Sequence, residues 1–233
     1  MVALFVLLTF VLIITIDLIV TKVREKKISV FEETTIEAAT HTIFTKESIY
    51  VPQGFYYSKG HTWLNISNDG RLKLGIDDFL NKVLKPGKIN VLVPEGSKIK
   101  RGEPLFEIFT NHSSVKIYSP VNGVISSLNK SVIERPALIR DNPYSQNWLA
   151  EIDPVDIKEL LPSFKIGKEV VNWMKEEVNR FKDLLAHLTP KPSLVGVTLY
   201  DGGNIVEGVA RLLDDKSIDR FEEEFLKITS VEE

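Results

Sequence analysis

At 233 residues the chain allows one or two domains, and its 29 Lys+Arg against 32 Asp+Glu leave a net charge of −3 and a pI near 5.9. A chain balanced in this way offers no basic surface for a phosphate backbone, which disfavours nucleic acid as a partner. The absence of cysteine rules out disulfides, thiolate nucleophiles and cysteine-held metal or iron–sulfur centres.

Met1 to Val20 is apolar apart from Thr9, Thr15 and Asp17. About 20 residues at ~1.5 Å rise supply the ~30 Å of a hydrocarbon core, so the run predicts a transmembrane helix over residues 1–21. A cleaved signal peptide would need a basic stretch before the apolar run and a small-residue cleavage site after it, and neither occurs. Lys22, Arg24, Lys26 and Lys27 follow the run and nothing basic precedes it. The positive-inside rule therefore predicts a single-pass protein of the inner membrane, its N-terminus outside and its main body in the cytoplasm. Asp17, at a cost of about 2.5–3.5 kcal/mol in a span, reads as an interfacial residue pairing with Thr21 or Lys22; the alternative is a contact to another membrane subunit.

Residues 22–53 form a juxtamembrane segment with short β-branched runs, among them Thr42-Ile43-Phe44. From Phe55 onward, β-branched and aromatic runs alternate with turns at Asn68-Asp69-Gly70, Lys85-Pro86-Gly87, Pro94-Glu95-Gly96 and Val121-Asn122-Gly123. Such spacing predicts a mainly β domain, a compact sandwich or flattened barrel, over residues 54–154. Within it, Val91 to Ile108 reads as strand, turn, short strand, turn and strand, while Asp77 caps a short helix that buries Phe79 and Val83. Adjacent Asp77 and Asp78 are read as capping residues rather than as an acid/base pair.

Residues 155–233 read as a helix–hairpin–helix, α+β extension. Ile166, Val170, Met174, Val178, Phe181, Leu185 and Leu188 recur at intervals of three and four, predicting one amphipathic helix stopped by Thr189-Pro190-Lys191-Pro192. Alternation from Val195 to Leu199, the turn Asp201-Gly202-Gly203 and the run Ile205 to Ala210 predict a hairpin. A final helix carries Ile218, Phe221, Phe225 and Ile228 inward, with Glu222, Glu223 and Glu224 outward.

Four ordered stretches carry a resemblance. They are Tyr57-Ser58-Lys59-Gly60-His61-Thr62-Trp63-Leu64, then Leu74-Gly75-Ile76-Asp77-Asp78-Phe79, then Ile117-Tyr118-Ser119-Pro120-Val121-Asn122-Gly123, and finally Asn142-Pro143-Tyr144 with Asn147-Trp148-Leu149. Together they resemble the glycine cleavage H-protein family, from about Phe55 to Asp153. The resemblance implies a lipoyl-type domain whose hairpin presents a lipoyl-lysine eight positions before the proline of the Tyr-Ser-Pro-Val-x-Gly turn. Here that position is His112, and Phe109 replaces the acidic residue three positions earlier. An imidazole cannot form the lipoyl amide, so no cofactor is expected. Lys116, the nearest amine, reads as a solvated strand lysine and becomes a lipoate site only if the chain is a true carrier.

Other chemistry is sparse. His41, His61, His112 and His187 lie in separate segments without metal-ligand spacing, so no metal site is expected. His61 and Trp63 are assigned to packing. No nucleophile elbow, phosphate loop or dinucleotide fingerprint occurs, and no enzyme activity is expected. The sequence reading is thus a membrane-anchored, unmodified H-protein-like scaffold or adaptor. Its hairpin residues Phe109, His112, Lys116 and Tyr118 would dock a protein partner such as a lipoyl-handling enzyme or a membrane complex. The alternative is a genuine H protein carrying an aminomethyl group on lipoate.

Overall fold

The computed structural model describes residues 42–110, 113–155, 161–188, 199–200 and 204–228, with backbone alone for 199–200. The predicted span over Met1 to Val20, its basic flank, His112 at the hairpin, and Val195 and Val197 all lie outside the described residues. Among the described residues no helix is long and apolar enough to cross a membrane.

The described strands form three sheets, two of them in the β domain. Strands β1 (Ile43–Phe44), β2 (Tyr56–Tyr57), β3 (Thr62–Ile66) and β4 (Leu72–Ile76) precede helix α1 (Asp78–Leu84). Strands β5 (Lys88–Val91), β6 (Lys98–Ile99), β7 (Pro104–Phe109), β8 (Ser114–Tyr118) and β9 (Gly123–Leu128) come next. Two short helices, α2 (Lys130–Glu134) and α3 (Ala137–Asp141), then lead to β10 (Ala150–Pro154). One sheet has six strands in the order β2-β3-β4-β10-β9-β6, and a second has three in the order β5-β7-β8. All pairings are antiparallel, and the period-2 side-chain alternation explains their register. In β8, Val115 and Ile117 are fully buried while Lys116 between them is exposed.

Helix α1 forms where the sequence places its cap. The Asp77 side chain accepts from the Leu80 N–H at 2.9 Å, and Phe79, Leu80, Val83 and Leu84 are buried beneath it. Lys85 closes the helix in the left-handed region, φ 44°, its N–H bonding the Asn81 carbonyl.

Past β10 the chain packs back onto this domain. Lys165 exchanges two backbone hydrogen bonds of 2.9 Å with Tyr57 and so extends the free edge of β2. Helix α4 (Gly167–Leu188) follows, burying Val170, Trp173, Met174, Val178, Phe181, Leu184 and Leu185. Ile166, expected on that buried stripe, is 54% exposed because the helix starts only at Gly167. Strands β11 (Leu199–Tyr200) and β12 (Asn204–Val206) pair as the sequence predicts, and β1 joins them on the other side of β12. The second run does not continue as strand to Ala210. Gly208, φ 75°, turns the chain into a 3₁₀ segment, Val209–Leu212, and its N–H bonds the Lys82 carbonyl at 2.7 Å.

Helix α5 (Asp215–Phe221), capped by Asp214, widens into a π turn over Glu222–Leu226. Phe79, Phe181, Phe221 and Phe225 meet edge-to-face or stacked at centroid distances of 5.2 to 6.1 Å. Each buried ring contributes roughly 1.5–3 kcal/mol, so this cluster fastens α4 and α5 to α1.

Candidate functional site

The hairpin β7–β8 is the element the sequence singles out. Its pairs run Glu107↔Lys116, Ile108↔Val115 and Phe109↔Ser114, with a bulge between Pro104 and Phe106. Beyond the last pair the Thr110 N–H bonds the Ser113 carbonyl at 2.9 Å, while Asn111 and His112 between them lie outside the described residues. The Phe109 ring is half-buried, with the Lys88 ammonium 5.3 Å from its centroid. Glu107, opposite Lys116, is held by the Ser114 hydroxyl at 2.7 Å. Lys116 keeps its side chain in solvent, as a strand lysine should.

Tyr118 does not belong to an open face. It is 8% exposed, and its hydroxyl donates to Glu222 Oε1 at 2.5 Å. The other oxygen of Glu222 accepts the Lys116 N–H at 2.9 Å, and the Ser113 hydroxyl donates to Asp215 at 3.0 Å. The π turn thus sets a carboxylate against the outer edge of β8, where an edge strand otherwise presents free N–H groups. Glu222, read from sequence as outward-facing, is the residue that covers the hairpin. Burial, together with the Glu222 carboxylate, raises the Tyr118 phenol above its ordinary range.

A second constellation was not visible in sequence spacing. His61 takes a left-handed conformation, φ 57°, before β3 begins, so it does not share a strand with Trp63. Its ring is fully buried, Nδ1 2.7 Å from Asp77 and Nε2 3.4 Å from Glu177 of α4. Glu177 also accepts the Trp173 indole N–H at 3.0 Å and pairs with Arg180 at 3.0 Å. Trp173 stacks on the imidazole at 5.0 Å and 17°.

Burial by itself would push the imidazole down; the charge and hydrogen bond of Asp77, joined by Glu177, outweigh it and raise His61 to about 9. Glu177 is likewise held below the usual carboxylate range by His61 and Arg180, against the effect of its own burial. Burial holds the Asp77 carboxyl above its ordinary range, against the effect of His61. The ring is flanked by aromatic side chains, reaches no solvent and bonds carboxylates from two elements, so it joins the β domain to α4. Partners 16 and 116 positions away leave no local pattern to find. Among the described residues no group of three or more His, Cys, Asp or Glu could hold a metal ion.

The glycine cleavage H-protein family profile matches residues 55–177, more than half of the chain. A probable glycine cleavage system H protein of Thermococcus kodakarensis is 32% identical over 125 residues, covering 54% of this chain and 92% of that one. The glycine cleavage system H protein of Coprothermobacter proteolyticus is 34% identical over 110 residues, covering 47% and 87%. A crystal structure of a glycine cleavage system H protein from Mycobacterium marinum is similar at 25% identity and a TM-score of 0.41, covering 45% of this chain and 87% of that one.

Proposed function

This chain belongs to the glycine cleavage H-protein family, and from that premise we propose that it serves glycine cleavage as an H-type protein, with the β7–β8 hairpin presented to partner enzymes. The observation that carries this reading is the continuous family match across residues 55–177, with the hairpin and its Tyr118-to-Gly123 turn in place. In the form the named relatives favour, the protein is the carrier and holds an aminomethyl group on lipoate. The amine for that role is Lys116, the single lysine between Pro104 and Tyr118, whose side chain is exposed. The β strands then hold the arm's root while the arm moves.

A second reading has a specific observation behind it. His112 stands eight positions before Pro120, where the resemblance implies a lipoyl-lysine, and Phe109 stands where it implies an acidic residue. On this reading the hairpin is a docking surface without an arm. The apolar run over Met1 to Val20 supports tethering such a domain to a membrane, which carbonate extraction of native membranes tests.

One experiment separates the two forms. Intact-mass measurement of the natively expressed protein, followed by peptide mapping, shows a lipoyl adduct on the Lys116 peptide if the chain is a carrier, and Lys116→Arg removes it. An unmodified mass, with retained binding to a glycine cleavage enzyme, selects the docking form. An unmodified mass with no such binding rejects both.

A further inference from the structure

A cavity of about 530 Å³ opens where the β domain meets the C-terminal segment, lined by Lys59, Arg101, Lys165, Lys227, Glu169 and Phe164 among others. The wall thus has four cations against one carboxylate, in a chain whose net charge is −3. Glu169 is paired to Lys165 at 2.6 Å, and Lys227 stands 3.9 Å from Glu223. Among the described residues this leaves Lys59 and Arg101 without a carboxylate partner. The buried Nε of Arg101 finds no hydrogen-bond acceptor.

The backbone fixes these cations in place. Lys59 and Arg101 each precede a glycine, and the C-terminal segment lies against both. A Cβ on Gly60 would stand 2.7 Å from the Leu226 carbonyl oxygen, and one on Gly102 would stand 2.9 Å from that of Ile228. Lys227, between those two carbonyls, is therefore brought to the same cavity as the two cations that flank the glycines. The Arg101 turn is itself rigid, its N–H donating to the Asn122 side chain at 2.8 Å and the Gly102 N–H to the Ser119 carbonyl at 2.8 Å.

We propose that this cavity binds the phosphate group of a small organic phosphate. A phosphomonoester carries about −1.5 to −2 charge at neutral pH and three acceptor oxygens, which suits uncompensated Lys and Arg donors better than a single carboxylate does. The volume lies within the roughly 300–1,000 Å³ of small-molecule sites, more than a bare inorganic ion needs, and Phe164 and Ile228 give the remainder an apolar wall. The phosphate can come from a soluble metabolite or from a lipid headgroup.

The test uses the full chain in detergent micelles, titrated with glycerol 3-phosphate while the amide NMR signals of Gly60 and Gly102 are followed. Saturable shifts at both amides are expected, with at least tenfold weaker binding in Lys59→Gln, Arg101→Gln and Lys227→Gln and no change in Lys98→Gln, an exposed lysine outside the cavity. Reconstitution into nanodiscs of phosphatidic acid or of phosphatidylcholine identifies the source. Shifts seen with phosphatidic acid alone, and lost in Arg101→Gln, assign a headgroup phosphate. No shift in either arm, shifts that persist in all three variants, or equal binding of succinate would overturn the proposal.

Discussion

Glu222 lies 2.5 Å from the Tyr118 hydroxyl, so a residue of the C-terminal π turn is bonded to the strand that leads out of the hairpin turn. The same carboxylate caps the Lys116 N–H at 2.9 Å. Charge-assisted bonds of this kind contribute about 1.5–3 kcal/mol when sheltered and less where solvent reaches them. Glu222→Ala is expected to lower stability by about 1–2 kcal/mol and to speed hydrogen exchange at the Lys116 amide, while Glu223→Ala changes neither. An unchanged Lys116 exchange rate in Glu222→Ala would show that the π turn does not protect this edge.

The His61 joint predicts a pH dependence of defined sign. Its folded value of about 9 lies above the ordinary ~6.5 of an unfolded histidine, so the folded state binds the extra proton. That contribution is fully present below pH ~6.5 and is lost as pH rises through about 9, and Asp77, whose carboxyl burial holds above its ordinary range, shares this sign. Glu177 acts in the opposite window: held below its ordinary range, it adds stability above the unfolded carboxylate value, and this fades as pH falls. Urea titrations from pH 6 to 9.5 should show stability falling for the native chain. The slope should flatten in His61→Gln, which also costs about 3–5 kcal/mol at neutral pH because it leaves two carboxylates buried together. Equal slopes in both proteins would contradict a charged His61.

Tyr144 ties three parts of the β domain together through one oxygen. Its hydroxyl donates to the Tyr50 carbonyl at 2.9 Å and accepts the Asp78 N–H at the start of α1 at 3.2 Å, and the ring lies among Phe55, Tyr57 and Trp63. Tyr144→Phe keeps the ring and removes the hydroxyl, orphaning a buried N–H. The expected loss is about 1–3 kcal/mol in the urea midpoint, with native-like near-ultraviolet circular dichroism. A loss below about 0.5 kcal/mol would mean that water replaces the hydroxyl.

What the sequence made legible was local. Asp77 as helix cap, the strand alternation around Lys116 and the 3.6-residue period of α4 each depend on neighbours within a few positions, and each recurs in the structure. Long-range joints were not legible. Glu177 looks like any polar residue of an amphipathic helix, and only the fold brings it to His61. Glu222 sits in a run of three glutamates whose common reading is a solvated face, and the π widening is what separates it from Glu223 and Glu224. The left-handed turn at His61 escaped for a related reason, since nothing local marks a histidine for positive φ.

The docking form of the hairpin can be probed by placing a carboxylate and an amine at the positions the resemblance implies for them. Phe109 pairs with Ser114 at the last rung, and its replacement by Glu places a carboxylate where the resemblance puts an acidic residue. Combined with His112→Lys, the variant supplies an amine where the resemblance implies the lipoyl-lysine, and neither change touches the buried Val115 and Ile117 of β8. Phe109→Glu/His112→Lys is expected to gain one lipoyl group when incubated with a lipoyl ligase, mapped to the residue-112 peptide, and His112→Lys alone to gain it more slowly. Adding Lys116→Arg should leave that gain intact, because Lys116 lies four residues further along the sequence, within β8. Should the double variant stay unmodified while an authentic H protein is modified in the same tube, recognition must depend on surface that this hairpin does not present, and the Glu222 cover over β8 is the first place to remove it.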